Sequence, residues 1–548
     1  MSNDQINQAT NNRDRSFGEP DYHSLPWQWK NNSNIRKIRN ELEDLKRHQG
    51  VIAITFTRKA SKELARRCNR GGKETKSSFF GTIDAFCLSE IIFPFSKFIF
   101  GSSPDNLVPK FKNELSEEEI SIIIETANQL GELGAENIDD YMPALKELYD
   151  LGCIYFPSIP FLASHIVKNS KSCRNYLKAR YTTAYIDEYQ DSSSAQHDLF
   201  LLLLDIGIRG VCVGDIQQSI YGWRKSSPEF LKQLINLPTF NHLTVSTNHR
   251  CHPSISNYAN RLFDEDFEVE QGEELRVYQC EVEGAELDVA LKLNNIIPSI
   301  IKKYPVKNLS DVAVLVRYNK GLERIREKLA IPCKIYTEDD LSGIESKTSQ
   351  LWVMLLEFKF DKSMLVDDIV NLYNPAGDIR RDRLKALRDA VKSVRTVALE
   401  DLADTLLAAS QLLLDIPATK FEVNALRKII NDPELLNQYL PATDDQVQCM
   451  TLHKSKGLEF DIVIHLDLVE WVFPKRVPGA NYNDRVYPDL EQDLNLHYVG
   501  ITRAKNACVL IHTTQRINSL GAVKRADPSA FLSLPGLDEL YKIVDRKW

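Results

Sequence analysis

Ala184-Tyr-Ile-Asp-Glu-Tyr-Gln-Asp191 is the stretch on which the reading of this chain turns. Three residues suited to a buried strand run directly into two adjacent carboxylates, Asp187 and Glu188. In parallel α/β sheets the ligand crevice lies outside the carboxyl ends of the strands, so acids placed there face it. A carboxylate pair in that position suits nucleotide hydrolysis. The first acid holds Mg²⁺, often through water, and the second orients and deprotonates the attacking water. A solvated acidic turn has the same local sequence, so the stretch has to be read with its surroundings.

Working outward, short apolar strands recur, each followed by a polar turn and a helical pattern. Val51-Ile-Ala-Ile-Thr55 precedes a helical stretch over Lys59 to Arg67, and Val211-Cys-Val213 precedes Gly214-Asp215. Val312-Ala-Val-Leu-Val316 and Ile462-Val-Ile464 form a later group. Strands of this kind, buried on both faces and alternating with helices, predict α/β architecture with two parallel sheets. Residues 35–87 and 181–250 are assigned to the first sheet domain, and 251–345 and 441–548 to the second. Segments 88–180 and 346–440 carry helical periodicity without strand signals and read as helical insertions. Leu115 to Leu130, Glu400 to Leu414 and Lys420 to Ile430 are their clearest helices. Residues 1–34 fit neither period and are predicted to be irregular.

The composition bounds the function. The chain has 548 residues, 43% hydrophobic and 26% charged, which is globular rather than disordered. A net charge of -8 excludes a polycation, so any nucleic-acid binding needs a local basic groove. The 10 cysteines include no Cys-x-x-Cys pair, which argues against a zinc site or redox dithiol and for a reducing compartment. The N-terminal residues are polar and acidic, unlike a signal peptide, and the longest apolar runs, such as Leu199 to Leu204, fall far short of a bilayer span. A cytoplasmic protein with no membrane partner is expected.

Three further motifs carry chemistry. Val213-Gly-Asp-Ile-Gln-Gln-Ser-Ile-Tyr-Gly-Trp-Arg224 follows a strand with a tight turn. Gln218 suits γ-phosphate sensing, and Tyr221 and Trp223 suit base stacking, although core aromatics read the same way. In Thr451-Leu-His-Lys-Ser-Lys-Gly-Leu-Glu-Phe460, small, hydroxyl and basic residues between two strands suit phosphate contact, as they would a basic surface loop. Leu496-His-Tyr-Val-Gly-Ile-Thr-Arg-Ala-Lys505 offers Arg503 as an arginine finger or as part of a basic helix face.

Order and spacing together resemble the UvrD/Rep family of superfamily 1 helicases. Ile54-Thr-Phe-Thr-Arg-Lys-Ala60 and Gly81-Thr-Ile-Asp-Ala-Phe86 are similar to its first two DNA-contact motifs. Asp187 to Asp191 resembles its Walker B motif, Gly214 to Arg224 its coupling motif, and Asn248-His-Arg250 its Asn-Tyr-Arg element. Val314 to Tyr336 resembles the opening of its second motor domain, and Thr451 to Phe460 and Tyr498 to Lys505 its last two motifs. The resemblance implies two RecA-like domains with ATP and Mg²⁺ between them, moving 3′ to 5′ on single-stranded DNA or at single-strand/duplex junctions. It implies Asp187 on Mg²⁺, Glu188 as general base, and Gln218, Arg250 and Arg503 at the γ-phosphate, with Gly457 and Glu459 beside the nucleotide. It also implies DNA contacts from Phe56, Thr57, Lys59, Thr82, Tyr221, Trp223, Arg224, His453 and Lys454.

The sequence departs from the family in one large respect. A glycine-rich loop ending Gly-Lys-Thr or Gly-Lys-Ser is expected in roughly the first 35 residues. Those residues instead include Ser16-Phe-Gly-Glu-Pro-Asp-Tyr-His-Ser-Leu-Pro-Trp-Gln-Trp-Lys30. Gly72-Lys73 precedes Glu74 and follows a helical pattern, so it does not serve. Losing the strand before that loop should leave backbone groups of the first sheet unpaired. Asp84, His249 and Lys225-Ser226 stand where the family usually has His, Tyr and Gly-Ala. Two functions follow. One is an ATP-dependent helicase or translocase. The other is an ATPase-deficient DNA-binding or scaffold subunit, with a nuclease partner in a repair or defence complex.

Overall fold

A computed structural model describes residues 27–544, apart from 103, 105–106, 135, 223–225, 246–247, 273, 338, 374–380, 415, 480, 482–483 and 519–520. Its strands are β1 Gly50–Ile54, β2 Phe79–Gly81, β3 Val108–Lys110, β4 Cys153–Tyr155, β5 Tyr181–Ile186, β6 Arg209–Cys212 and β7 Val277–Val282. They continue with β8 Val312–Val316, β9 Cys333–Tyr336, β10 Val447–Thr451, β11 Phe460–His465, β12 Ala504–Thr513, β13 Gln515–Ile517, β14 Val523–Arg525 and β15 Lys542–Val544.

Two parallel sheets carry the α/β fold. The first has the order β2-β1-β5-β6 and the second β15-β7-β12-β11-β8-β10-β9. Their strands are rich in Val and Ile, whose branched side chains pack on both faces of a buried pleat. β8 is completely buried along Val312–Val316. β6 is different: it was expected to be buried on both faces over Val211–Val213, but it runs over Arg209–Cys212 at a sheet edge and is only partly covered.

Helices fill most of both inserted regions, but the reading of 88–180 as free of strands is corrected by the short parallel pair of β3 and β4, each only three residues and so too short to show a strand pattern. Glu117–Leu130 starts at Ser116 with a reciprocal Ser116–Glu119 cap, and Lys420–Asn431 starts at Thr419 with the equivalent Thr419–Glu422 cap. Leu402–Leu414 and Lys347–Phe360 pack in a core of their own around Trp352, whose Nε1 donates to Leu406 O at 3.1 Å.

The expectation of irregular structure over residues 1–34 is corrected from Trp27 onward, because a helix covers Trp27–Asp44. Its apolar anchors Ile35, Ile38 and Leu42 recur at helical spacing and pack on Val51, Ala53 and Tyr185. They begin just beyond residue 34, so the first turns of the helix carry no periodic signal of their own. Ser16 to Pro26 lie outside the described residues. Glu41 ties the helix to the sheet. Its carboxylate accepts from Thr182 Oγ1 at 2.6 Å, Thr183 Oγ1 at 2.7 Å, Tyr185 OH at 2.7 Å and Arg209 Nη2 at 2.8 Å. Burial raises its pKa, but these hydrogen bonds and the Arg209 charge outweigh that and hold it below the usual glutamate value. Among the described residues no helix is long and apolar enough to cross a membrane.

Candidate nucleotide and DNA cleft

The carboxylate turn sits where β5 ends. Asp187 N donates to Ile54 O at 3.0 Å, and Tyr189 N to Val213 O at 2.9 Å, so the flanking strands pin the turn. Glu188 adopts a left-handed backbone, φ 54° and ψ 41°, uncommon for a residue with a Cβ. Gln190 joins the two motifs. Its Nε2 donates to Glu188 Oε2 at 2.5 Å, and its Oε1 accepts from Asp215 N at 3.0 Å. Asp215 in turn accepts from Gln218 Nε2 at 2.5 Å.

The second sheet supplies the opposing wall. Arg503 is 1% exposed, and its Nη2 reaches Gln218 Oε1 at 3.4 Å. Its other nitrogens donate to Val499 O and Leu458 O. Burial and the neighbouring Arg250 charge pull its pKa down to about 10, which leaves it cationic at neutral pH. Arg250 pairs with Glu459 at 3.0 Å and donates to Thr502 O. Gly457 has φ 84°, a backbone that its lack of a Cβ permits. From the helix Leu490–Ile501, Gln492 donates to Ile220 O and Asn495 to Ser219 O.

Most of the expected DNA-contact residues are described. Phe56 is 42% exposed and stacks parallel on Tyr221, with ring centroids 5.6 Å apart. The hydroxyls of Thr57 and Thr82 cap short helices by accepting from Ala60 N and Ala85 N. Lys59 lies in the helix Arg58–Asn69. Lys454 Nζ donates to Thr337 O at 2.6 Å. His453 is held neutral, its pKa lowered to about 4 by burial and by the Arg317 and Lys456 charges. Trp223 and Arg224 lie outside the described residues.

One cleft is lined by Phe56, Thr57, Asp187, Glu188, Gln218, Tyr221, Arg250, Gly457 and Arg503. Thr82, His453, Lys454 and Glu459 are not among its lining residues. Sequence reasoning missed Gln190, Asp191, Asp215, Gln492 and Asn495. It read Lys456 as a phosphate contact, whereas Lys456 Nζ meets Asp191 Oδ2 at 2.6 Å. Spacing cannot reveal such partners, because they join segments up to 276 positions apart.

The cleft continues beside β6 over an apolar surface. Among the described residues β6 pairs only with β5. Leu231, Leu234, Leu243 and Val245 line the same space, and Leu243 and Val245 are 79% and 77% exposed. Among the described residues no group of three or more His, Cys, Asp and Glu side chains could hold a metal ion by itself.

Two parallel sheets thus bring a carboxylate pair, a glutamine and two arginines to one cleft. The family model for the UvrD/REP helicase N-terminal domain matches residues 102–239, and that for the UvrD-like helicase C-terminal domain matches residues 353–515. The chain belongs to the UvrD/Rep-like superfamily 1 helicases. It is 28% identical to Gabija protein GajB of Bacillus cereus (strain VD045), over 87% of this chain and 89% of that protein. It is 25% identical to ATP-dependent DNA helicase Rep of Salmonella typhimurium, over 93% and 91% of the two chains. Against ATP-dependent DNA helicase PcrA of Staphylococcus aureus (strain Mu50 / ATCC 700699) the identity is 23%, over 65% of this chain and 58% of PcrA.

Proposed function

We propose that this chain tracks single-stranded DNA in the 3′ to 5′ direction, with ATP and Mg²⁺ at the cleft. One observation carries the reading: Arg503, from the second sheet, meets Gln218, from the first, beside the Glu188 turn. Residues from both sheets therefore converge on one point, as a motor needs if closure is to assemble its catalytic groups. Bound ATP with Mg²⁺ supplies the phosphoanhydride whose cleavage drives such a cycle. Asp187 would hold the metal, and Glu188, oriented by Gln190, would accept the proton of the attacking water. Arg250 and Arg503 would face the charge that develops on the phosphate. Phe56 and Tyr221 suit stacking on bases, which ignores sequence and is worth roughly 1–3 kcal/mol per base.

The second reading, an ATPase-deficient DNA-binding or scaffold subunit, is favoured by the lack of a Gly-Lys-Thr or Gly-Lys-Ser segment in the sequence and by the partly covered edge strand β6. A nuclease is the proposed protein partner in that case. Fluorescence anisotropy with labelled oligonucleotides tests the feature common to both. Binding should be independent of sequence and weaken as salt rises, and no binding at low salt would sink both readings. Displacement of streptavidin from the 5′ but not the 3′ end of an oligonucleotide would then support the motor and its polarity.

A further inference from the structure

We infer that Lys456 is a positioning residue linking the nucleotide side of the cleft to its base-stacking side, an inference that rests on the DNA-tracking reading above. A lysine ammonium is a compact charge with three donors and no acceptor. Here it meets three groups at once. Its Nζ contacts Asp191 Oδ2 at 2.6 Å, donates to Gln218 O at 2.9 Å, and lies 4.6 Å from the centroid of the Tyr221 ring. The Lys456 side chain is 11% exposed and that of Asp191 1%, so water screens these contacts little.

The placement of the three groups gives the contact its meaning. Lys456 lies on the loop between β10 and β11 of the second sheet, whereas Asp191, Gln218 and Tyr221 follow strands of the first. Asp191 closes the acidic turn that begins at Asp187. Gln218 is the residue whose side chain meets Arg503, and Tyr221 is the ring stacked on Phe56. A shift of one sheet against the other therefore moves a single cation relative to the acidic turn, the glutamine backbone and the stacking ring together. The residue types of this loop suit phosphate contact, but the geometry turns Lys456 toward protein groups.

The test uses the full chain with oligo(dT) carrying one 2-aminopurine, reading anisotropy for affinity and 2-aminopurine quenching for stacking. Lys456→Met should lower affinity roughly 5–30-fold, the range of a desolvated cation–ring contact, and reduce the quench. In a Tyr221→Leu background it should cause no further loss, because it acts through that ring. Equal losses in both backgrounds would overturn the inference. So would a salt-dependence slope lowered by about one charge, which would make Lys456 a direct phosphate contact. If Lys456→Met does not fold, Asp191→Asn loosens the ammonium without emptying the site and should also reduce the quench; an unchanged quench overturns the proposal. Failure of the wild-type chain to bind the oligonucleotide would instead remove the DNA reading and this inference with it.

Discussion

β8 and β6 are both apolar strands of parallel sheets, yet they meet different surroundings. β8 lies between β11 and β10 with every side chain buried. β6 ends its sheet, with the Arg209 side chain 70% exposed and Leu243 and Val245 bare along the same cleft. The second sheet is the larger, and its domain presents Arg503, Lys456 and Gln492 to the first. The first sheet bears the carboxylates, but its cleft edge lacks strand cover among the described residues. The two sides therefore differ in how their cleft strands are covered, while both contribute groups to the cleft, the carboxylates from one and Arg503 from the other.

The largest effect should come from completing the first sheet. On the ATPase-deficient reading, the chain as it stands hydrolyses ATP very slowly or not at all. Supplying a strand and a Gly-x-x-x-x-Gly-Lys-Thr segment ahead of the helix Trp27–Asp44 should raise DNA-stimulated turnover by about 10³-fold or more, the scale of a lost phosphate-binding group. Glu188→Gln should abolish the gain. Robust turnover by the unaltered chain, lost on Glu188→Gln, would break the contrast between the two sheets.

Core truncation sharpens it. Ile464→Ala, at a fully buried position in β11, should cost about 2–5 kcal/mol, read as lost hydrogen-exchange protection in β8, β11 and β12. Protection in the first sheet should change little, because the two sheets have separate cores.

Glu41→Gln should weaken β5 and β6 by about 1–3 kcal/mol, since a carboxylate accepting four hydrogen bonds becomes an amide that cannot accept them all. The folded pKa of Glu41 lies below 4.5, so its contribution is complete above that value and is lost as pH falls through the folded pKa. The gap in urea midpoint between wild type and variant should therefore narrow below about pH 4.5.

The smallest effect is expected at the bare edge. Leu243→Ser should change stability by no more than about 0.5 kcal/mol, because that side chain is already 79% exposed. A melting temperature lowered by several degrees would mean that this surface is covered in solution, and the two sheets would then be less unlike than they look.

The sequence by itself determined the alternation of strand and helix, the carboxylate pair and the order of the motifs, because each is written in a few adjacent residues. Val312–Val316 reads as a buried strand from composition alone, and Asp187-Glu188 follows its strand directly. The helical caps at Ser116 and Thr419 are equally local. Only the tertiary structure decided that β6 ends its sheet beside the cleft, that Gln190 holds Glu188 against Asp215, and that Lys456 joins Asp191 to Tyr221. It also decided the role of Glu41, a surface-type residue on a helix whose first turns gave no periodic signal. The physical reason is distance along the chain: Lys456 and Asp191 are 265 positions apart, and no local preference for strand, helix or turn encodes which charges will meet when two sheets close on each other.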